Sequence, residues 1–155
     1  MIGILMMFIF LWDLNRKNGW TAKRNEKLKA RSCNAVLVKV EKRLAANWKA
    51  YCEQNSLAVE VDFTLDKAKL KDPNNFKRVM YRELANNLVL LAKLSPSDNL
   101  ERTDYVRVRL KHKDLTINAL SQGRHVAKFQ TLTTPEMIAQ HLQATVTVQE
   151  VPAQK

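Results

Sequence analysis

The stretch Tyr105–Lys113 reads YVRVRLKHK, and its pattern guides the interpretation of the whole chain. Apolar and cationic side chains alternate along it, which is the period of a half-buried β-strand. Val106, Val108 and Leu110 would face a core, and the cations would line the other face at intervals of about 6.6 Å. The four cations predicted to share that face are Arg107, Arg109, Lys111 and Lys113.

This row of cations has three interpretations. It could follow the phosphates of a nucleic acid or a lipid surface, balance carboxylates on a neighbouring strand, or keep an edge strand soluble. Glu60 and Asp62 lie on the polar face of an earlier predicted strand, which favours charge balance. Nucleic-acid binding is less favoured, because only Tyr105 and Phe129 are nearby as stacking aromatics and no RNP motif occurs.

Upstream of this strand the sequence predicts two helices and another strand. One apolar stripe at three- and four-residue spacing predicts a helix from Thr21 to about Asn55. Alternation in LAVEVDFTL, residues 57–65, predicts a strand. Asp72-Pro73 begins a second helix that ends before Ser95-Pro96. The stripe of the first helix comprises Val36, Leu37, Val40, Leu44, Trp48, Tyr51 and Cys52.

Downstream, residues 105–130 predict a three-stranded meander whose third strand, RHVAKFQ, follows a turn at Gln122-Gly123. Thr134-Pro135 starts a short helix through about Leu142, and ATVTVQEV forms a last strand. The predicted fold is therefore α+β. An N-terminal apolar anchor helix precedes a two-layer domain of order α-β-α-β-β-β-α-β, with a mostly antiparallel sheet and two long helices on one face.

The N-terminus is the most unusual part of the chain, since eleven of the first twelve residues are apolar. No basic residue precedes this run and no cleavage site follows it, which disfavours a cleaved signal peptide. A buried core helix is a second alternative. The absence of a polar face favours a short or partly inserted membrane anchor at residues 1–20, although a full span needs about 20 apolar residues. Residues 21–32 would form a basic stalk and residues 33–155 the α+β domain.

The net charge of +11 is concentrated beside this apolar segment. Residues 13–52 contain 11 Lys and Arg against 3 Asp and Glu, a net charge of +8. Because the cations follow the apolar run, the positive-inside rule predicts that the domain faces the cytoplasm. The residues expected to contact the membrane surface are Trp12, Arg16, Lys17, Trp20, Lys23 and Arg24.

The two cysteines, Cys33 and Cys52, fall on the predicted long helix about 28 Å apart. A disulfide requires Cα atoms within about 7 Å, so the sequence predicts two small buried thiols, weakly consistent with a reducing compartment. The three histidines, His112, His125 and His141, lack partners at a metal-ligand spacing. No P-loop, G-x-G-x-x-G or G-x-S-x-G motif occurs, and no cofactor is predicted.

These features predict a membrane-associated adaptor or assembly subunit that acts through protein–protein contacts. Its expected partners are other protein subunits, including membrane proteins, and an anionic lipid surface. A nucleic-acid-binding module that uses the basic strand is the alternative, and an enzyme of unknown type is third, because nothing in the sequence argues for catalysis. The oligomeric state is left open.

Overall fold

A computed structural model describes residues 31–65 and 70–152 as α-helices packed against a five-stranded β-sheet. The elements are α1 (31–41), β1 (Trp48–Glu53), β2 (Ser56–Asp62), α2 (Phe76–Leu94), α3 (Ser97–Glu101), β3 (Tyr105–Lys111), β4 (Leu115–Gln122), α4 (Gly123–Lys128), α5 (Pro135–Thr145) and β5 (Thr147–Pro152). Short 3-10 turns, Pro73–Asn75 and Phe129–Thr131, precede α2 and follow α4.

The sheet is mixed, and its strands lie in sequence order β1-β2-β3-β4-β5. β2 and β3 are parallel, because the connection through α2 and α3 returns the chain to the same end of the sheet. The other three pairs are antiparallel. Val59 lies opposite Val108, which lies opposite Ala119, so one row of apolar residues crosses the middle of the sheet.

The hydrophobic core lies between the helices and one face of the sheet. Alternate residues of β2, β3 and β4 point into it, and the apolar stripes of α1, α2 and α4 cover them. The largest completely buried side chains include Leu57, Met80, Leu84, Leu88, Leu91, Leu110, Ile117 and Phe129. The expected two-layer α+β architecture is therefore confirmed for the described residues.

Local capping signals mark the start of α5 and of the 3-10 turn before α2, whereas α2 itself begins at Phe76 without a side-chain cap. The Asp72 carboxylate accepts a hydrogen bond from the Asn74 backbone N–H at 2.9 Å, and Ser95-Pro96 follows the last turn of α2. Thr134 caps α5 by accepting a hydrogen bond from the Met137 backbone N–H at 3.2 Å. β5 also lies where alternation placed the last strand. The short helix α3 was not predicted.

The long helix predicted to reach Asn55 is wrong beyond residue 41. The chain turns at residues 42–47 and returns as β1, which pairs antiparallel with β2. Trp48 and Cys52 are four residues apart, and a spacing of four fits both a helical stripe and one face of a strand. The β1–β2 turn lacks glycine; Gln54 takes the positive φ of 55° instead, so the usual hairpin signal is absent.

The prediction of a third meander strand at RHVAKFQ is also wrong, because these residues form α4 and the 3-10 turn after it. The edge of β4 that such a strand would use is occupied by β5, with Ala119 opposite Val148. Gly123 starts α4 so close to the backbone of α3 that an added Cβ would lie 2.2 Å from the Leu100 carbonyl oxygen.

The prediction that Cys33 and Cys52 cannot pair is wrong as well. They form a disulfide between α1 and β1, with Cα atoms 6.2 Å apart. The prediction failed because it placed both residues on one straight helix. The turn after α1 folds β1 back along that helix, which brings the two positions together.

The predicted N-terminal anchor, residues 1–20, lies outside the described residues, as does most of the proposed stalk. The same holds for the six residues predicted to contact the membrane surface: Trp12, Arg16, Lys17, Trp20, Lys23 and Arg24. The last two stalk residues, Arg31 and Ser32, belong to α1, and Ser32 is buried.

Candidate interaction surface

The face of the sheet opposite the core is the surface that sequence analysis singled out, and no described helix packs on it. We call it the open face. Its side chains come from alternate positions of all five strands. They are Lys49, Tyr51, Glu53, Ser56, Ala58, Glu60, Asp62, Tyr105, Arg107, Arg109, Lys111, Thr116, Asn118, Leu120, Gln122, Thr147, Gln149 and Val151.

Strand register arranges these side chains in rows across the sheet. One row runs Tyr51, Ala58, Arg107, Leu120, Thr147 from β1 to β5. The next row is polar and contains Lys49, Glu60, Arg109, Asn118 and Gln149. An apolar and aromatic row thus lies directly beside a charged row.

Three of the four predicted basic residues, Arg107, Arg109 and Lys111, lie together on the open face, as alternation predicted. Lys113 does not join them, because β3 ends at Lys111 and Lys113 lies in the turn before β4. The four-residue row is therefore shortened to three, and its two arginine side chains are about half exposed.

Carboxylates of β2, the neighbouring strand, and of β1, one strand further away, pair with all three of these cations. The Lys111 ammonium donates to the Glu60 carboxylate at 2.6 Å, and the Arg109 guanidinium lies 3.5 Å from the same carboxylate. Arg107 pairs with Glu53. Charge balance within the sheet, one of the three interpretations of the basic row, is therefore present at Glu60. Glu53, on strand β1, contributes a second carboxylate to this balance.

Glu60 occupies the centre of this electrostatic network. The hydrogen bond from Lys111 holds the pKa of Glu60 below its ordinary value of 4.5, against the opposing effect of partial burial, and Arg109 and Lys49 add attraction. The open face carries four cations and three carboxylates, a net charge of +1. It is far less cationic than the Arg-Lys pattern of β3 alone indicates.

The open face contains a shallow depression of about 350 Å³. Ala58 forms its floor, because its short side chain lies between the longer side chains of Tyr51 and Arg107 in the same row. Leu120 and Thr147 continue the depression toward β5. Tyr51 and Leu120 are about 40 % exposed, so apolar surface borders it on both sides.

Tyr51 is the open-face residue that the sequence-based prediction assigned to the wrong element. It was assigned to a buried helical stripe, whereas it stands on the open face with its hydroxyl 3.5 Å from the Glu60 carboxylate. The available signal was the alternation of WKAYCE in β1, where lysine, tyrosine and glutamate occupy every second position.

The histidines have structural partners. His112 is buried at the margin of the core. Its Nδ1 accepts from the Asp114 backbone N–H, so Nε2 donates to the Leu65 carbonyl at 2.9 Å. His141 Nε2 donates to the His125 carbonyl at 2.7 Å. Within the described ranges, no three His, Cys, Asp or Glu side chains are grouped so that they could hold a metal ion.

A second polar recess lies at the end of the sheet where β3 begins, lined by Arg102, Tyr105 and Arg124 among others. Asn55 of the β1–β2 turn ties this end together by donating to the Arg102 carbonyl at 2.8 Å. Because Cys33 is bonded to Cys52 near that turn, α1 also begins at this end. The first described residue, Arg31, therefore lies on the same side of the domain as the recess.

Across residues 31–65 and 70–152, no helix has both the length and the apolar character that crossing a bilayer requires. Comparison with known proteins gives no relative: no family model, no curated protein and no solved structure matches the chain.

Proposed function

We propose that this protein is a membrane-anchored assembly subunit that holds a protein partner on the open face of its sheet. The observation that carries the proposal is the depression over Ala58, bordered by Tyr51 and Leu120 and beside the exposed guanidinium of Arg107. Tyrosine and arginine dominate the binding energy of protein interfaces when they surround a desolvated pocket.

The chemistry of the depression defines the partner. An aliphatic or aromatic side chain would fill the space above Ala58 and bury the exposed rings and methyl groups around it. A neighbouring carboxylate of the partner protein would pair with Arg107. Within the chain Arg107 forms an ion pair with Glu53, and both side chains are about half exposed, so the guanidinium can receive a second carboxylate. We therefore propose a partner segment with an apolar residue flanked by Asp or Glu.

The neutralised cations support protein binding over nucleic-acid binding. A surface that follows a phosphate backbone needs uncompensated positive charge, whereas Glu53 and Glu60 already pair with the cations of β3. Tyr51 and Tyr105 could each stack on a base, which keeps nucleic acid as the second candidate for this face.

The membrane part of the proposal is supported by the sequence of residues 1–30. The apolar run and the cations that follow it are the features of an anchor at an anionic surface. The first described residue, Arg31, begins α1 at the end of the sheet that carries exposed Arg102 and Arg124. Fractionation tests this part: the full chain should stay with membranes at low salt and require detergent for release.

The docking surface can be tested with a photo-crosslinking amino acid at position 120, using position 90 as the matched control. Leu90 on α2 is also 40 % exposed but lies in the helical layer, away from the open face. We expect a cross-linked protein from position 120 only. Mass spectrometry of the cross-linked peptide should identify an apolar residue with adjacent carboxylates.

Charge reversal makes the test specific. Arg107→Glu should abolish the position-120 cross-link, and replacing the adjacent carboxylate of the partner by lysine should restore it. Equal cross-linking from positions 90 and 120, or failure of the reversed pair to recover, would reject docking on this face. A cross-link to RNA or DNA that weakens steeply with salt would replace the protein partner with a nucleic acid.

A further inference from the structure

Both cysteines of the chain take part in one disulfide bond. Cys33 on α1 and Cys52 on β1 are disulfide-bonded, with Cα atoms 6.2 Å apart, and no free cysteine is left. This separation lies within the range that native disulfides adopt. The bond therefore closes without displacement of either backbone segment.

The disulfide fixes α1 to the edge strand of the sheet. Among the described strands β1 pairs only with β2, so no described strand holds its other edge. α1 contributes Val36 and Val40 to the core, both completely buried, and Cys33 is completely buried next to them. The cross-link thus secures the element through which residues 1–30 are connected to the sheet.

We infer that Cys33 and Cys52 are an oxidative modification site, closed by exchange with the disulfide of a dithiol oxidoreductase, and that the domain folds in an oxidising compartment. One cysteine thiolate of the chain attacks the oxidant's disulfide and forms a mixed disulfide. The other thiolate then displaces the oxidant. The two thiols of the chain lose two protons and two electrons, one S–S bond forms, and the oxidant leaves as a dithiol.

Burial sets the order of events. No reagent reaches the sulfur of Cys33 once α1 has docked, since the residue has no exposed surface. The partly exposed Cys52 is therefore the thiol that exchanges with the oxidant, and Cys33 then displaces the oxidant from within the fold. In a compartment that keeps thiols reduced, the pair would remain as two thiols, because structural disulfides persist mainly in oxidising environments.

This placement opposes the cytoplasmic orientation that the charge pattern predicts. The positive-inside bias acts on short loops next to a membrane segment, and long domains cross largely regardless of their charge. The segment that follows residue 20 exceeds a hundred residues. The disulfide is therefore the more direct indicator of the compartment, and it holds whether or not the open face binds a partner.

Thiol trapping of the full-length chain in its own cells tests the inference. Cells are quenched with acid, denatured, and treated with a maleimide that adds a visible mass to each free thiol. We expect no adduct without reductant and two adducts after reduction. The Cys33→Ser and Cys52→Ser variants should each give one adduct without reductant, which verifies that either thiol is detectable.

Removal of the cell's dithiol oxidase provides a second readout that does not depend on how the variants fold. The wild-type chain should then acquire two adducts without reductant. A reporter fused after Lys155 that is active only in an oxidising compartment should also be active. Two adducts on the untreated wild-type chain, or a reporter active only in the cytoplasm, would overturn the inference.

Discussion

Glu60 and Lys111 are not opposite each other in the sheet, yet their side chains form its shortest described carboxylate–lysine contact, 2.6 Å. The strand register places Lys111 opposite Asp62 and Arg109 opposite Glu60. The Lys111 side chain therefore crosses diagonally to Glu60. One carboxylate of β2 thereby receives two cations of β3, and the predictions about the open face follow from this arrangement.

Glu60→Gln should destabilise the domain by about 0.5–1 kcal/mol at pH 7, the upper range for a partly exposed ion pair. The pKa of Glu60 is lowered by Lys111, so the ionised form stabilises the fold above its ordinary pKa of 4.5. That contribution disappears as the pH falls below 4.5 through the lowered pKa. Urea denaturation at several pH values measures this effect.

As the pH is lowered from 7 toward 3, the difference in free energy of unfolding between the variant and the wild type should shrink. The control is Glu136→Gln, because Glu136 is an exposed residue of α5, outside the Glu60 network. A stability difference between wild type and E60Q that stays constant from pH 7 to pH 3 would contradict the ion-pair interpretation.

Replacing both cysteines, Cys33→Ala with Cys52→Ala, should lower the free energy of unfolding by about 3 kcal/mol. The disulfide spans a sequence separation of 19 residues, and its loss returns that loop's freedom to the unfolded chain. Urea denaturation of the oxidised wild type and of the double variant measures the difference.

Wild-type protein unfolded and refolded in reductant is the matched control, and its stability should approach that of the double variant. If oxidised and reduced wild type unfold at the same urea concentration, the disulfide does not stabilise the domain and the prediction is wrong.

Gly123→Ala should destabilise the domain by about 1–3 kcal/mol, the usual cost of forcing extra volume into a packed site. The new Cβ would lie 2.2 Å from the Leu100 carbonyl oxygen and 2.3 Å from that of Thr103, and neither backbone group can rotate away. Arg124→Ala, at the exposed next position, should change stability by less than about 0.5 kcal/mol. Thermal unfolding of both variants distinguishes a steric effect from a change in helix propensity, which alone would favour alanine.

The domain should lose some stability as the pH falls below 6.5. Burial, with smaller effects from Arg124, His141 and Lys128, lowers the pKa of His125 below its ordinary value of 6.5. The unfolded chain therefore binds a proton at a higher pH than the folded chain does, so the folded state loses stability as the pH falls from 6.5 through the lowered pKa. His125→Gln should reduce this slope, while the backbone carbonyl that accepts from His141 is retained.

Titration of the imidazole C–H resonances by NMR measures the pKa directly. A His125 pKa at or above 6.5 in the folded protein, or an unchanged slope of stability between pH 7 and pH 5 in the variant, would contradict this prediction.

Local patterns were sufficient to predict the elements whose signals lie within a few residues. The alternation of β3 predicted which of its residues are buried, and Val106, Val108 and Leu110 are all in the core. Caps and prolines predicted the starts of α5 and of the 3-10 turn that leads into α2, because a cap bonds to backbone groups only two or three residues away. Arg107, Arg109 and Lys111 were assigned to one surface on the same basis.

The errors occurred where two local interpretations were equally good. Trp48 and Cys52 fit a helix or a strand, and only pairing with β2 selects the strand. RHVAKFQ could have been a strand, but β5 takes the edge of β4 after a connection of more than twenty residues. Tyr51 was missed as a site residue because its strand was missed.

The sequence by itself determined the α+β class, the apolar and polar sides of β2 and β3, and the basic character next to the apolar N-terminus, because these depend on neighbouring residues. The tertiary structure alone decided that Cys33 meets Cys52 and that Glu60 receives both Arg109 and Lys111. These pairs are 19, 49 and 51 residues apart. No local period encodes such separations, since they arise only when strand pairing and helix docking fix the whole chain at once.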